Sequence, residues 1–137
     1  SASSTEFRHL HIFYFHNFLY ETIWQDNDRR LDEKISITEL IGRFGADYKL
    51  ILVGDAQVGL PEIQEPGGSL EHFNQLPGSA WLTRLKEHYR KLVWLNPVHE
   101  KFWLDSPSIQ LTRKLVADEM YHLSPKGIEA AMRVLAR

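Results

Sequence analysis

The sequence contains no cysteine. Disulfide bridges, zinc–thiolate and iron–sulfur sites and cysteine nucleophiles are therefore excluded together. No apolar run approaches the roughly 18 residues needed to cross a bilayer. Residues 1–11, SASSTEFRHLH, lack the basic stretch followed by an apolar one that marks an export signal. A cytoplasmic location without a membrane partner is the expectation from these absences. Charge of one sign is also missing: 16 Lys and Arg stand against 18 Asp and Glu, a net charge of -2. With no basic stripe, nucleic acid is not an expected partner. GxGxxG, GxxxxGKS/T, GxSxG and HExxH patterns are all absent, so no phosphate cradle, hydrolase elbow or zincin helix is signalled.

The residues present are enough for one domain. A chain of 137 residues is long enough to build a core, and 43% hydrophobic with 12% aromatic residues excludes disorder as its main state. Residues 1–6 are expected to lie outside the packed fold.

Local patterns predict an alternation of strands and helices. Leu10 to Asn17, with HIFYFH at its centre, reads as a buried strand. Phe18 to Trp24 reads as a second strand antiparallel to it or as an early helix, and the polar stretch Gln25 to Lys34 as a loop. Ser36 followed by Glu39 has the form of a capping box, with Leu40, Ile41 and Phe44 as the apolar face and Gly45 as the stop. Tyr48 to Val53 is a near-continuous apolar run ended by Gly54 and Asp55, the pattern of a central strand buried on both faces. Pro61 to Gly68 is loop-like. Pro77 to Arg90 is predicted helical, with Trp81, Leu82, Leu85 and Tyr89 on one stripe. Lys91 to Leu95 is the next strand. Ser106-Pro107-Ser108 opens a helix carrying Ile109, Leu111, Leu115 and Val116, and Glu119 to Leu123 is a short strand. Ser124 and Pro125 open a last helix with Ile128, Ala131, Met132 and Leu135 as its face. The order implies an α/β fold: a doubly wound, mostly parallel, Rossmann-like sheet with helices on both faces.

In such sheets ligands sit outside the carboxyl ends of the strands, which selects Asn17, Asp55 and Asn96. Asp55 is the leading candidate, although an Asp at a strand end also serves as a turn cap. Ser36 and Thr38 are hydroxyls at a helix mouth. With one carboxylate they are hard oxygen donors of the kind Mg²⁺ accepts, and simple capping is the competing role. The seven histidines (9, 11, 16, 72, 88, 99 and 122) show no metal-ligand spacing with a carboxylate. The tryptophans and Tyr89 read as core or contact residues, since no basic stripe accompanies them.

The segments FRHLHIFYFHN, SITELI, DYKLILVGDA, PGGSLEHFN, KLVWLNPV and SPSIQLTRKL, taken in order, resemble the C-terminal part of von Willebrand factor A (VWA) domains of the bacterial CoxE-like group. The resemblance runs from about Phe7 to the end. It implies a doubly wound sheet whose carboxyl edge binds a divalent cation through a DxSxS motif after the first strand, a Thr before a middle helix and an Asp after the fourth strand. Asp55 matches the last piece. The middle piece falls on Ser36 or Thr38, and no stretch reads D-x-S-x-S. The sequence thus begins at what looks like the family's second strand, and weak or no Mg²⁺ binding is expected. Lacking a central strand, the sheet is expected to close by pairing Leu10–His16 directly with Lys49–Val53, by forming a homodimer or by borrowing a strand. A real, partly solvent-filled gap is the remaining arrangement. By the same resemblance the chain is an interaction module, with a MoxR-type AAA+ ATPase as partner in the maturation of other proteins. The alternative is a hydrolase or phosphoryl-transfer enzyme built on Asp55 with His16, Asn17 and Asn96. A receiver-like signalling domain ranks below both, because paired acidic residues after a first strand are missing.

Overall fold

The structure, a computed structural model, describes residues 10–15, 18–25, 34–66 and 76–137. Residues 1–6, His16 and Asn17 lie outside the described residues, as do most of the Gln25–Lys34 loop and residues 67–75.

The C-terminal two thirds of the chain form a three-stranded parallel sheet in the order β3 (Leu50–Val53), β4 (Leu92–Asn96), β5 (Met120–His122). Ile51 lies opposite Val93, and Leu95 opposite Tyr121. All five residues of β4 are buried, and they alternate between two cores. Leu92 and Trp94 join Leu52 and Met120 on one face, where α1 (Ile37–Arg43), α2 (Leu60–Gln64), α3 (Gly78–His88) and α4 (Pro107–Leu115) pack. Val93 and Leu95 face α5 (Pro125–Ala136), meeting Ala131 and Leu135. A parallel strand buried on both sides must be apolar along its whole length, and LVWL is. The expected α/β architecture with helices on both faces is therefore present.

Three of the helix starts follow directly from local chemistry. Ser36, Ser106 and Ser124 each accept a hydrogen bond from the backbone N–H three residues on, at 3.0, 3.3 and 3.2 Å. Such a cap satisfies a donor that the helix leaves unpaired. Glu39 does not close the expected box; its carboxylate pairs with Arg43 at 3.1 Å. A six-residue 3₁₀ helix, Glu100–Asp105, follows β4, in a stretch to which the sequence pattern assigns no element. Within the Pro61–Gly68 stretch, read as loop, residues as far as Gln64 belong to α2.

The N-terminal third departs most from expectation. Leu10–Asn17 is not a continuous strand: its described part makes one antiparallel bridge, Tyr14 to Trp24, with two main-chain bonds of 2.8 Å. Leu10 and Ile12 are 74% and 59% exposed rather than buried. The Phe18–Trp24 segment yields only β1 (Thr22–Trp24), whose ladder partner is β2 (Lys34–Ser36). These strands form a separate antiparallel ribbon in the order 10–15, β1, β2. β3 is likewise not central. It is the outer strand of its sheet among the described residues, and Val53 is 49% exposed. The direct pairing expected between Leu10–His16 and Lys49–Val53 is not formed by the described residues; a cleft of about 430 Å³ lies between them.

α5 docks on the sheet at one very close approach. A Cβ at Gly127 would sit 1.8 Å from the His122 carbonyl oxygen, a backbone atom that cannot step aside without moving the end of β5. Gly127→Ala is expected to destabilise the fold by about 3 kcal/mol, the upper end of ordinary overpacking costs. A urea titration would show this as a lowered midpoint with an unchanged slope.

Candidate functional site at the carboxyl edge of the sheet

Asn96 and His122 end β4 and β5, and Asp55 lies two residues past the end of β3, so the loops that follow the three parallel strands meet at one edge. The buried side chain of Asn96 ties this edge together. Its Nδ2 donates to the Asp55 carbonyl at 2.9 Å and lies 3.7 Å from the Met120 sulfur, and its Oδ1 accepts from the Val98 N–H at 2.9 Å. The Trp94 indole donates to the Gly54 carbonyl at 2.7 Å, and the Trp103 indole to the Val98 carbonyl at 2.8 Å.

The turn after β3 is held from the other side by α4. Ala56 is buried with φ 56°, a left-handed conformation that costs a non-glycine residue roughly 1–2 kcal/mol. Ser108, in the first turn of α4, donates to the Ala56 carbonyl at 2.7 Å and accepts from the Val58 N–H at 3.2 Å. These bonds hold the strained turn and commit the Ser108 proton to a main-chain carbonyl. Beside them opens a shallow cleft of about 490 Å³ lined by Gln57 to Leu60 and Asp105 to Ser108.

Asp55 itself is exposed, and its Oδ1 accepts from the Gln57 N–H at 3.0 Å. This is an Asx turn, the capping role that competes with ligand binding at such a position. Ser36 spends its oxygen on the α1 cap and Thr38 is exposed on the first turn of that helix. No hydrogen bond links either hydroxyl to Asp55 among the described residues. Among the described residues no three His, Cys, Asp or Glu side chains come together as a metal-binding group. Asp55, Ser36 and Thr38 would offer Mg²⁺ one carboxylate and two hydroxyls, of which the Ser36 oxygen is engaged in the α1 cap.

Acid–base chemistry finds no better support here. His99 and His122 face each other with ring centroids 5.0 Å apart, and the His99 Nδ1 accepts from the Lys101 N–H. No described serine or threonine hydroxyl is hydrogen-bonded to a histidine, so a nucleophile–base pair is not assembled among these residues. Among the described residues the group driven furthest from its ordinary value lies elsewhere, on the face of β5 under α5. Burial pushes the Tyr121 phenol up to about 12, helped by its short hydrogen bond to Glu119. That perturbation belongs to the packing of α5 and not to a cleft. His16 and Asn17, the other expected members of the edge, lie outside the described residues.

Sequence reasoning picked out Asp55 and Asn96 but not the part Asn96 plays. It also missed Ser108, for which Ser-Pro-Ser signalled only a helix start. No family model matches the chain, and neither a curated protein nor a solved structure shows significant similarity to it.

Two outcomes are expected. Asn96→Ala leaves the Val98 N–H and the Asp55 carbonyl without their partner and should cost about 2–4 kcal/mol in urea unfolding, whereas Asp55→Asn, which keeps the acceptor, should change stability by less than about 0.5 kcal/mol. Tyr121 has a raised pKa in the folded state, so its contribution is fully present below the ordinary tyrosine value of 10 and is lost as pH rises through about 12. The stability advantage of wild type over Tyr121→Phe should therefore shrink between pH 10 and 12, measured by thermal unfolding of both proteins across that range.

Proposed function

We propose that the chain is a protein–protein interaction module of the VWA type, resembling the CoxE-like group, and that it docks on a MoxR-type AAA+ ATPase serving the maturation or assembly of other proteins. The observation that carries the reading is the character of the carboxyl edge. Its buried polar side chains Asn96 and Ser108 are hydrogen-bonded within the fold, while the Asp55 carboxylate is presented to solvent on a braced turn beside an open cleft. A rigid, exposed acidic group without an assembled nucleophile suits recognition better than turnover. The parallel β3–β4–β5 order, with an Asp directly after Gly54 at the end of β3, also agrees with the resemblance. A divalent cation joins this reading only through donors beyond Asp55, Ser36 and Thr38. No helix among the described residues is long and apolar enough to cross a membrane; the reading takes the module as cytoplasmic, with neither a membrane nor a nucleic acid as partner.

The test is co-purification of a MoxR-type AAA+ ATPase on the immobilised chain. The expected result is capture that survives a chelator and falls about fivefold or more, roughly 1 kcal/mol, with Asp55→Arg. Failure of the wild-type chain to retain the ATPase, or equal recovery with the variant, overturns the reading.

A further inference from the structure

We propose that His99, with His122 facing it, makes the first turn of the 3₁₀ helix Glu100–Asp105 a pH-sensitive element at the carboxyl edge, closed near neutrality and opened by acid. The inference does not depend on which partner, if any, docks at Asp55.

Three observations carry it. The first is the group that caps this helix. Among the described residues four helices are capped at their start by a side chain. Three of the caps are the hydroxyls of Ser36, Ser106 and Ser124, which do not titrate. The fourth is the imidazole of His99, whose Nδ1 accepts from the Lys101 N–H at 3.1 Å. A ring nitrogen accepts only through its lone pair, so the neutral ring carries its proton on Nε2. That leaves His99 no free lone pair for a metal ion. Imidazole is the side chain that changes charge between pH 5 and 8. On His99 the added proton goes to Nδ1. Two N–H donors then point at each other where one bond stood, and the cap is lost.

The second is the electrostatic setting. The His122 ring, at the end of β5, stands 5.0 Å from the His99 ring, centroid to centroid. Once both carry a proton, they repel. None of the described ion pairs involves either ring. The helix itself carries Glu100, Lys101 and Asp105, the turn after β3 carries Asp55, and the first turn of α5 carries Lys126. Arg113 of α4 is paired with Asp118, and Glu119 accepts from Tyr121, so the charges flanking β5 are engaged with each other.

The third is which part of the helix is free to move. Its far end is anchored by the buried Trp103, whose indole donates to the Val98 carbonyl at 2.8 Å and whose carbonyl accepts from the Gln110 side chain at 2.8 Å. The near end begins with the His99 cap and the bond from the Phe102 N–H to the His99 carbonyl, 3.0 Å. Phe102 is 51% exposed, so the first turn opens without uncovering the core. Acid therefore frees this turn and adds positive charge at the edge that also presents Asp55.

The test is amide exchange of the whole chain, followed residue by residue by NMR from about pH 7.5 to about pH 5 and corrected for the intrinsic rate. Protection of the Lys101 amide should fall about fivefold or more, the scale of losing one side-chain cap. The Glu39, Ile109 and Gly127 amides, held by the serine caps, should keep theirs. His99→Asn keeps an acceptor that does not titrate, so Lys101 should stay protected throughout. His122→Gln should leave the transition in place and move it to higher pH, because the opposing charge is gone. Constant protection of Lys101 in the wild-type chain overturns the proposal. So does an equal fall in His99→Asn, or a fall shared by the three serine-capped amides, which would report general unfolding. An unmoved transition in His122→Gln overturns the part assigned to His122.

Discussion

The two-sided burial of β4 is the interaction on which the remaining structure depends. Leu92 and Trp94 anchor one core and Val93 and Leu95 the other, so α5 and the four helices opposite it are held against a common strand. At about 25 cal/mol per Å² of apolar surface removed from water, each such side chain contributes on the order of 2 kcal/mol. The strand also aligns its neighbours in parallel. Their carboxyl ends, with Asp55, Asn96 and His122, consequently arrive at the same edge, and the Asn96 amide can bond across it. The geometry of the candidate site is thus a product of the core and is not built separately from it.

At that edge the fold consumes most of its own polar chemistry. The Asn96 amide, the Ser108 hydroxyl and two indole N–H groups close main-chain carbonyls that the strand ends leave unpaired. A buried carbonyl without a partner would cost about 1–3 kcal/mol, so these side chains are committed to structure. The Asp55 carboxylate differs because only one of its oxygens is engaged within the fold and the side chain stands in solvent.

What could be read from the sequence was what is decided locally. Ser36, Ser106 and Ser124 were legible as caps because the bond each makes spans three residues. The Lys91–Leu95 run was legible as a strand because burial on both faces demands an unbroken apolar stretch. The N-terminal segment was not, since HIFYFH has the composition of a buried strand and whether it forms one depends on a neighbour far along the chain. Tyr48–Val53 misled in the same way: its residues suit a central position, and only the topology shows β3 at an edge. In the site, Asp55 and Asn96 could be found from their place after strands. The role of Asn96 could not, because its partners are set by strand order, and Ser108 reaches Ala56 from 52 positions away.

One feature of the N-terminal ribbon bears on how the molecule opens. Among the described residues, no main-chain hydrogen bond joins residues 10–44 to the three-stranded sheet. The join is made by side chains: Phe18 stacks on Trp94, Tyr89 donates to the Phe44 carbonyl, and the start of α3 at Gly78 sits too close to Phe18 and Leu19 to admit a Cβ. Such a seam has no ladder to propagate order from one part to the other. Ribbon and sheet thus share one core of packed side chains without a common ladder. The parallel sheet with α5 has the larger share of main-chain bonding, so local opening of the ribbon is expected at a free energy below that of global unfolding.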